Sequence, residues 1–99
     1  MRRPALIFLF CLALASCSRA VDKYVIGISQ CSIDMWREVA NSEMMQEASF
    51  YRNISLVIRS VHDDSEQQIR DIERFIDDKV DLLVISPNEA ESLTPVVEK

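Results

Sequence analysis

The sequence predicts an α/β fold, a three-layer sandwich in which a parallel βαβαβ sheet is covered by helices on both faces. Three observations predict it. Residues 23–29, 54–59 and 80–85 are short apolar runs rich in β-branched side chains, of the length of buried strands. Two stretches of helical period separate them, and strand–helix alternation at this spacing gives parallel strands joined by right-handed crossovers. The runs are nearly continuous rather than alternating, as suits strands buried on both faces.

The first 16 of the 99 residues stand apart from this pattern. Arg2 and Arg3 form a cationic start, residues 5–14 are apolar and uncharged, and Ala15-Ser16 supplies small residues before Cys17. The apolar run is too short to span a bilayer, which takes about 20 residues. This layout predicts an export signal over residues 1–16. Leu14-Ala15-Ser16-Cys17 resembles a bacterial lipobox, so cleavage before Cys17 and lipidation of that cysteine are expected. The acyl chains would hold a periplasmic protein on the membrane surface. Residues 17–22 then read as a tether and 23–99 as the folded part. Cys11 leaves with the signal and Cys17 is acylated, so Cys31 has no partner for an internal disulfide. Loss of Arg2 and Arg3 makes the mature chain two charges more negative than the -5 of the whole sequence, which argues against nucleic acid as a partner.

Within the folded part, 23–29 is the first strand and 30–34 a polar loop in which Asp34 can cap the next helix. That helix is expected from about 35 to 51. Trp36, Ala40, Met44, Ala48 and Tyr51 form its inward stripe, with Arg37, Glu38, Asn41 and Glu47 facing water. Asn53 is expected in the left-handed conformation that ends a helix, since the chain has a single glycine. The second strand, 54–59, leads to a loop at 61–64. Ser65-Glu66-Gln67-Gln68 reads as a capping box opening a helix to about 78, with Ile69, Ile72, Phe75 and Ile76 inward. Lys79 suits the negative end of that helix. The third strand, 80–85, is broken by Pro87, and a third helix begins at about 91. With parallel strands, the turns beginning at Gln30, Val61 and Ser86 gather on the carboxyl edge, where open α/β sheets bind ligands.

Several chemistries lack their residues. Gly27 is alone and lies within the first strand, so there is neither a dinucleotide fingerprint nor a phosphate loop. Ile85-Ser86 stands where a receiver domain would carry an aspartate. One His and one unmodified mature Cys do not make a metal site, and no cofactor is expected. Cys31 with His62 is the one nucleophile pair that can be assembled, which leaves an exported thiol enzyme as the rival to a binding protein. The Asn53-Ile54-Ser55 sequon reads as chance beside a bacterial lipobox.

The stretch from Asp64 to Glu89 is similar to the second-helix and third-strand signature of type I periplasmic binding proteins of the ribose/galactose class. It has Gln68 after the second loop, Val80-Asp81 opening the strand, and Pro87 with Glu89 closing it. Tyr24-Val-Ile-Gly-Ile-Ser-Gln-Cys-Ser-Ile-Asp-Met-Trp-Arg37 more narrowly resembles the periplasmic sensor domains of Bacteroidetes hybrid two-component regulators. The resemblance implies a Rossmann-like, flavodoxin-like lobe, one of two closing on a mono- or oligosaccharide, with residues 23–99 forming part of the N-terminal lobe. It implies a downstream kinase or an ABC permease as partner. It places Met35 and Trp36 where relatives stack aromatic rings on sugars, Met35 departing from the usual aromatic. Trp36 therefore carries two readings, ring stacking and core packing. Glu89 falls where relatives bind sugar hydroxyls, Asp63 and Asp64 on the second loop, and Ser32, Gln30 and Arg37 along the same edge. The resemblance also implies that part of one lobe, by itself, holds sugar weakly or not at all.

Overall fold

The computed structural model describes residues 20–99. The expected signal segment 1–16, Cys17 and the start of the tether lie outside the described residues. The chain runs β1 (Tyr24–Gln30), α1 (Met35–Ser49), β2 (Ile54–Ser60), α2 (Ser65–Asp77), β3 (Leu82–Ser86) and α3 (Ala90–Val97). Each element lies within about two residues of its expected bounds. The sheet has the order β2-β1-β3, and β1 pairs in parallel with both neighbours, Ile28 facing Ile58 on one side and Val84 on the other.

Alternation along β1 sends its side chains to two layers. Ile26 and Ile28 share a groove with Met44 and Ala48 of α1. Gly27 and Ser29 point the other way, to Phe75 and Gln68 of α2. Buried Ile72, Leu93 and Val96 gather on that side with Ile69, Leu83 and Ile85, so the core is concentrated between the sheet, α2 and α3.

Gly27 is where close approach is required. A Cβ built there would stand 2.8 Å from Phe75 Cδ1. Phe75 is 2% exposed, and the Arg59 guanidinium lies over its ring, 5.7 Å from the centroid.

The amino edge is closed by polar contacts. Asp81, just ahead of β3, accepts the Val25 amide on its carboxylate at 2.7 Å and donates its own amide to the Val25 carbonyl at 2.8 Å.

Four local expectations are corrected. Ile76, expected inward on α2, is 38% exposed. The inward stripe of α1 holds in its middle, where Ala40, Met44 and Ala48 are half-buried, and departs from expectation at its ends. Trp36 is 76% exposed and Tyr51 half exposed, whereas Arg37 and Asn41, expected in water, are part-buried and hydrogen-bonded to the strand ends. The apolar period misplaced the first turn because the residues that dock α1 at this end are polar. Asn53 is not left-handed: α1 ends at Phe50 in a right-handed conformation, and the positive-φ residues are Asp63 and Lys79. Lys79 occupies the left-handed position after α2 in a Schellman turn, with Lys79 N–H donating to Ile76 O and Val80 N–H to Phe75 O. The capping box is replaced by a simpler cap. Asp64 Oδ1 accepts from the Gln67 amide at 2.9 Å, while Ser65 and Gln68 turn to β3 and the segment after it.

Two substitutions test these points by chemical denaturation. Gly27→Ala should lower stability by about 1–3 kcal/mol, the usual cost of overpacking a filled core. Lys79→Gly should raise it by about 0.5–1 kcal/mol, because glycine adopts φ > 0 without a Cβ penalty.

Candidate functional site at the carboxyl rim

The three turns meet on one rim, and hydrogen bonds join them. Val61 N–H donates to Gln30 O at 2.9 Å and Asp63 N–H to Cys31 O at 3.2 Å, which ties the turn after β2 to the turn after β1. Asp63 makes its bond from a left-handed backbone, φ 49. From the start of α1, Arg37 Nη1 donates to Ser86 Oγ at 3.1 Å, which ties the turn after β1 to the end of β3. Arg37 Nε also reaches Ser32 Oγ at 3.4 Å, and Nη2 lies 3.9 Å from Cys31 Sγ.

The residues predicted to line the rim divide into two groups. Met35 and Trp36, at 80% and 76% exposure, stand in the first turn of α1 with no core to cover. Trp36 packs into no core among the described residues. Asp63, Asp64 and Glu89 are also exposed. Glu89 caps α3 without a bond to its backbone amides, and its Oε2 accepts from Ser92 Oγ at 2.8 Å. Asp64 retains one carboxylate oxygen beyond its cap.

Ser32, Arg37 and Gln30 form the supporting layer. Ser32 Oγ donates to Asp34 Oδ2 at 2.8 Å while Asp34 Oδ1 accepts the Arg37 amide, so the turn after β1 is braced onto α1. Gln30 is 2% exposed, and its side-chain amide makes a reciprocal pair with Asn41 at 2.7 and 3.1 Å and accepts from Ser60 Oγ. Its polar atoms face inward, between β1, β2 and α1. Asn41, Ser60, Gln68 and Asn88 belong to the same scaffold and were not among the predicted residues. Of these, Gln68 was flagged by the resemblance, whereas the apolar period placed Asn41 toward water.

Electrostatically, the Asp34 carboxyl is held below its ordinary value by the Arg37 amide and next by the Ser32 hydroxyl, with a smaller pull from the Arg37 guanidinium. The rim carries Asp34, Asp63, Asp64 and Glu89 against one guanidinium, a surface that disfavours anions and offers acceptors to neutral hydroxyls. Cys31 is half-buried and His62 exposed, and no hydrogen bond joins them among the described residues. No group of three or more potential metal ligands occurs among the described residues, and no helix there is long and apolar enough to cross a membrane. A separate groove lined by Ile26, Ile28, Met44, Leu56, Leu82 and Val84 lies below the rim and is almost wholly apolar. It lacks the convergent polar groups that fix a hydroxylated ligand.

A parallel sheet of order β2-β1-β3 with its turns gathered on one carboxyl rim is an open α/β fold of the class that takes ligands at that edge. By this fold the chain is similar to solved periplasmic sugar-binding domains. At 49% identity over 76% of its length it is similar to the fructose-binding periplasmic domain of a hybrid two-component system, with a TM-score of 0.73. At 26% identity over 82% of its length it is similar to an ABC transporter solute-binding protein from Bacillus halodurans with bound myo-inositol, TM-score 0.70. A periplasmic ribose ABC transporter protein from Conexibacter woesei shares the fold at 20% identity over 80% of the chain, TM-score 0.66. The chain spans 25%, 28% and 26% of these three proteins. No family model and no curated protein matches the sequence.

Asp34 gives the rim a pH dependence of definite sign. Its folded value lies below its unfolded value, so its contribution is present above the unfolded value, near 3.8, and is lost as pH falls through the folded value. Acid titration followed by helical circular dichroism should show a loss below about pH 4 that is shallower in Asp34→Asn. Superimposable acid limbs would refute the assignment.

Proposed function

We propose that this rim is one wall of a sugar-binding cleft in a periplasmic receptor, serving either a two-component sensor or an ABC transport system. The observation that carries the reading is an exposed indole, Trp36, on a rim ringed by carboxylates. A sugar presents apolar C–H faces and a periphery of hydroxyls. An indole plane matches the first, and ionised carboxylates accept hydrogen bonds from the second. Met35 extends the apolar surface beside Trp36, its flexible thioether adapting to the ring it meets. Glu89, Asp63 and the free oxygen of Asp64 are the hydroxyl acceptors. Ser32, Arg37 and Gln30 hold the turns in place, with Arg37 and Ser32 near enough to the rim to add contacts.

The solved relatives support this reading, since their names record fructose and myo-inositol as ligands. Catalysis has less support: those relatives are binding proteins, and Cys31 lacks the aligned base that nucleophilic chemistry uses. In the two-lobed arrangement implied by the family, a sugar held on this wall selects a closed form, and closure is the signal or the delivery step. Cys17, as a lipidated N-terminus, keeps the receptor at the membrane. The sensor role predicts a membrane-spanning segment and kinase core encoded downstream, whereas the transport role predicts a second lobe alone.

Titration calorimetry on the intact natural protein with fructose, ribose and myo-inositol tests the reading. At least one sugar should bind, Trp36→Ala should weaken it about 10–100-fold and Glu89→Gln about tenfold. Full affinity in Trp36→Ala would sink the proposal. Mass spectrometry of the membrane fraction should find a diacylglyceryl group on Cys17, and an unmodified soluble N-terminus would overturn the anchor.

A further inference from the structure

Beyond β3 the sheet ladder stops, and Pro87 brings no amide of its own. The backbone groups flanking it, Ser86 O and Asn88 N–H, need partners from elsewhere. Both partners come from one side chain. Gln68, fully buried at 0% exposure, donates from Nε2 to Ser86 O at 2.8 Å and to Ser29 Oγ at 3.1 Å, and accepts the Asn88 amide on Oε1 at 2.9 Å. One residue turn of α2 earlier, Ser65 Oγ accepts from Asn88 Nδ2 at 2.9 Å. From the opposite face of the sheet, Arg37 holds the Ser86 hydroxyl. The segment that delivers Glu89 to the rim is therefore gripped on both sides, by Gln68 and Ser65 from α2 and by Arg37 from α1.

We infer that Gln68, assisted by Ser65, is a positioning residue that sets the place of Glu89 at the rim. The inference rests on the reading of this rim as a sugar wall. Its chemistry is selective for an amide. Both N–H groups of Gln68 are used against acceptors and its oxygen against a donor, a pattern that a carboxylate inverts at Ser86 and a hydrocarbon removes. An apolar replacement leaves Ser86 O and Asn88 N–H without their partner, and the segment is free to leave its place.

The test uses Gln68→Met, which keeps the side-chain length, in the intact natural protein. Hydrogen exchange read by mass spectrometry or NMR should speed up about tenfold at Asn88, the effect of losing one buried hydrogen bond. Exchange at Ile72 and Phe75 should stay slow. Affinity for whichever of fructose, ribose and myo-inositol binds should fall about tenfold, and this loss should shrink to under about twofold in a Glu89→Gln background, the non-additivity expected of residues acting through one another. Unchanged exchange at Asn88 overturns the inference whatever the sugars do, and so does a full tenfold loss in the double variant. If the unsubstituted protein binds no sugar, the sugar reading fails on its own and the positioning of Glu89 for a ligand falls with it, while the exchange arm still separates that failure from an absent Gln68 tie. Should Gln68→Met not fold, Ser65→Ala cuts the outer bond to the same Asn88 and must quicken exchange at 88–89; no change there is equally fatal.

Discussion

The contact between Gly27 and the Phe75 ring is the constraint on which the rest of the architecture depends. A helix packs on a sheet at a distance set by the side chains between them, and removing one Cβ on the central strand lets an aromatic ring settle onto the backbone itself. Phe75 and Gln68 are seven residues apart and so lie on the same face of α2, two turns from one another. Seating Phe75 against Gly27 thus brings Gln68 down onto Ser29, within reach of the strand ends. The chain has a single glycine, and it stands where the closest approach occurs.

The sandwich is apolar through its middle and polar at its carboxyl end. Ser29 and Gln30 are adjacent and buried, and they point to opposite layers, Ser29 to Gln68 of α2 and Gln30 to Asn41 of α1. Buried amides raise stability little, but they have few ways of being satisfied at once. Leucines at these places would hold the layers together and allow them to slide. Paired amides fix the helix starts against the strand ends, and those starts carry Trp36 on one side and lead to Glu89 on the other.

This division explains what could be read from the amino-acid sequence. The strands, their parallel order and the shared rim were legible because β-branched runs and the Ile69, Ile72 and Phe75 period are repeated, one-dimensional signals. The start of α1 was not, because Arg37 and Asn41 dock it through bonds to Ser86 and Gln30, and periodic apolarity cannot show a polar contact 49 residues away. Lys79 in a left-handed turn and Ser65 bonded to Asn88 escaped for a related reason. Local rules name the residues that usually fill such positions, and here tertiary contacts or chain composition selected others. For the rim, the resemblance named candidate residues, and the geometry divides them into exposed side chains and buried supports.

The exposure of Trp36 is what turns a scaffold into an argument for function. A large apolar side chain in the first turn of a helix has an inward alternative available, since Arg37 and Asn41 occupy the docking face beside it. Placing polar residues inward and the indole outward reverses the arrangement that stability alone favours. That reversal is intelligible if the indole has a ligand to meet. In the proposed cleft the carboxylates of the rim narrow the choice of ligand, because acidic groups repel an anion and hold a rim of hydroxyls. A neutral polyhydroxylated ring satisfies both surfaces at once, which a purely apolar or a charged ligand does not.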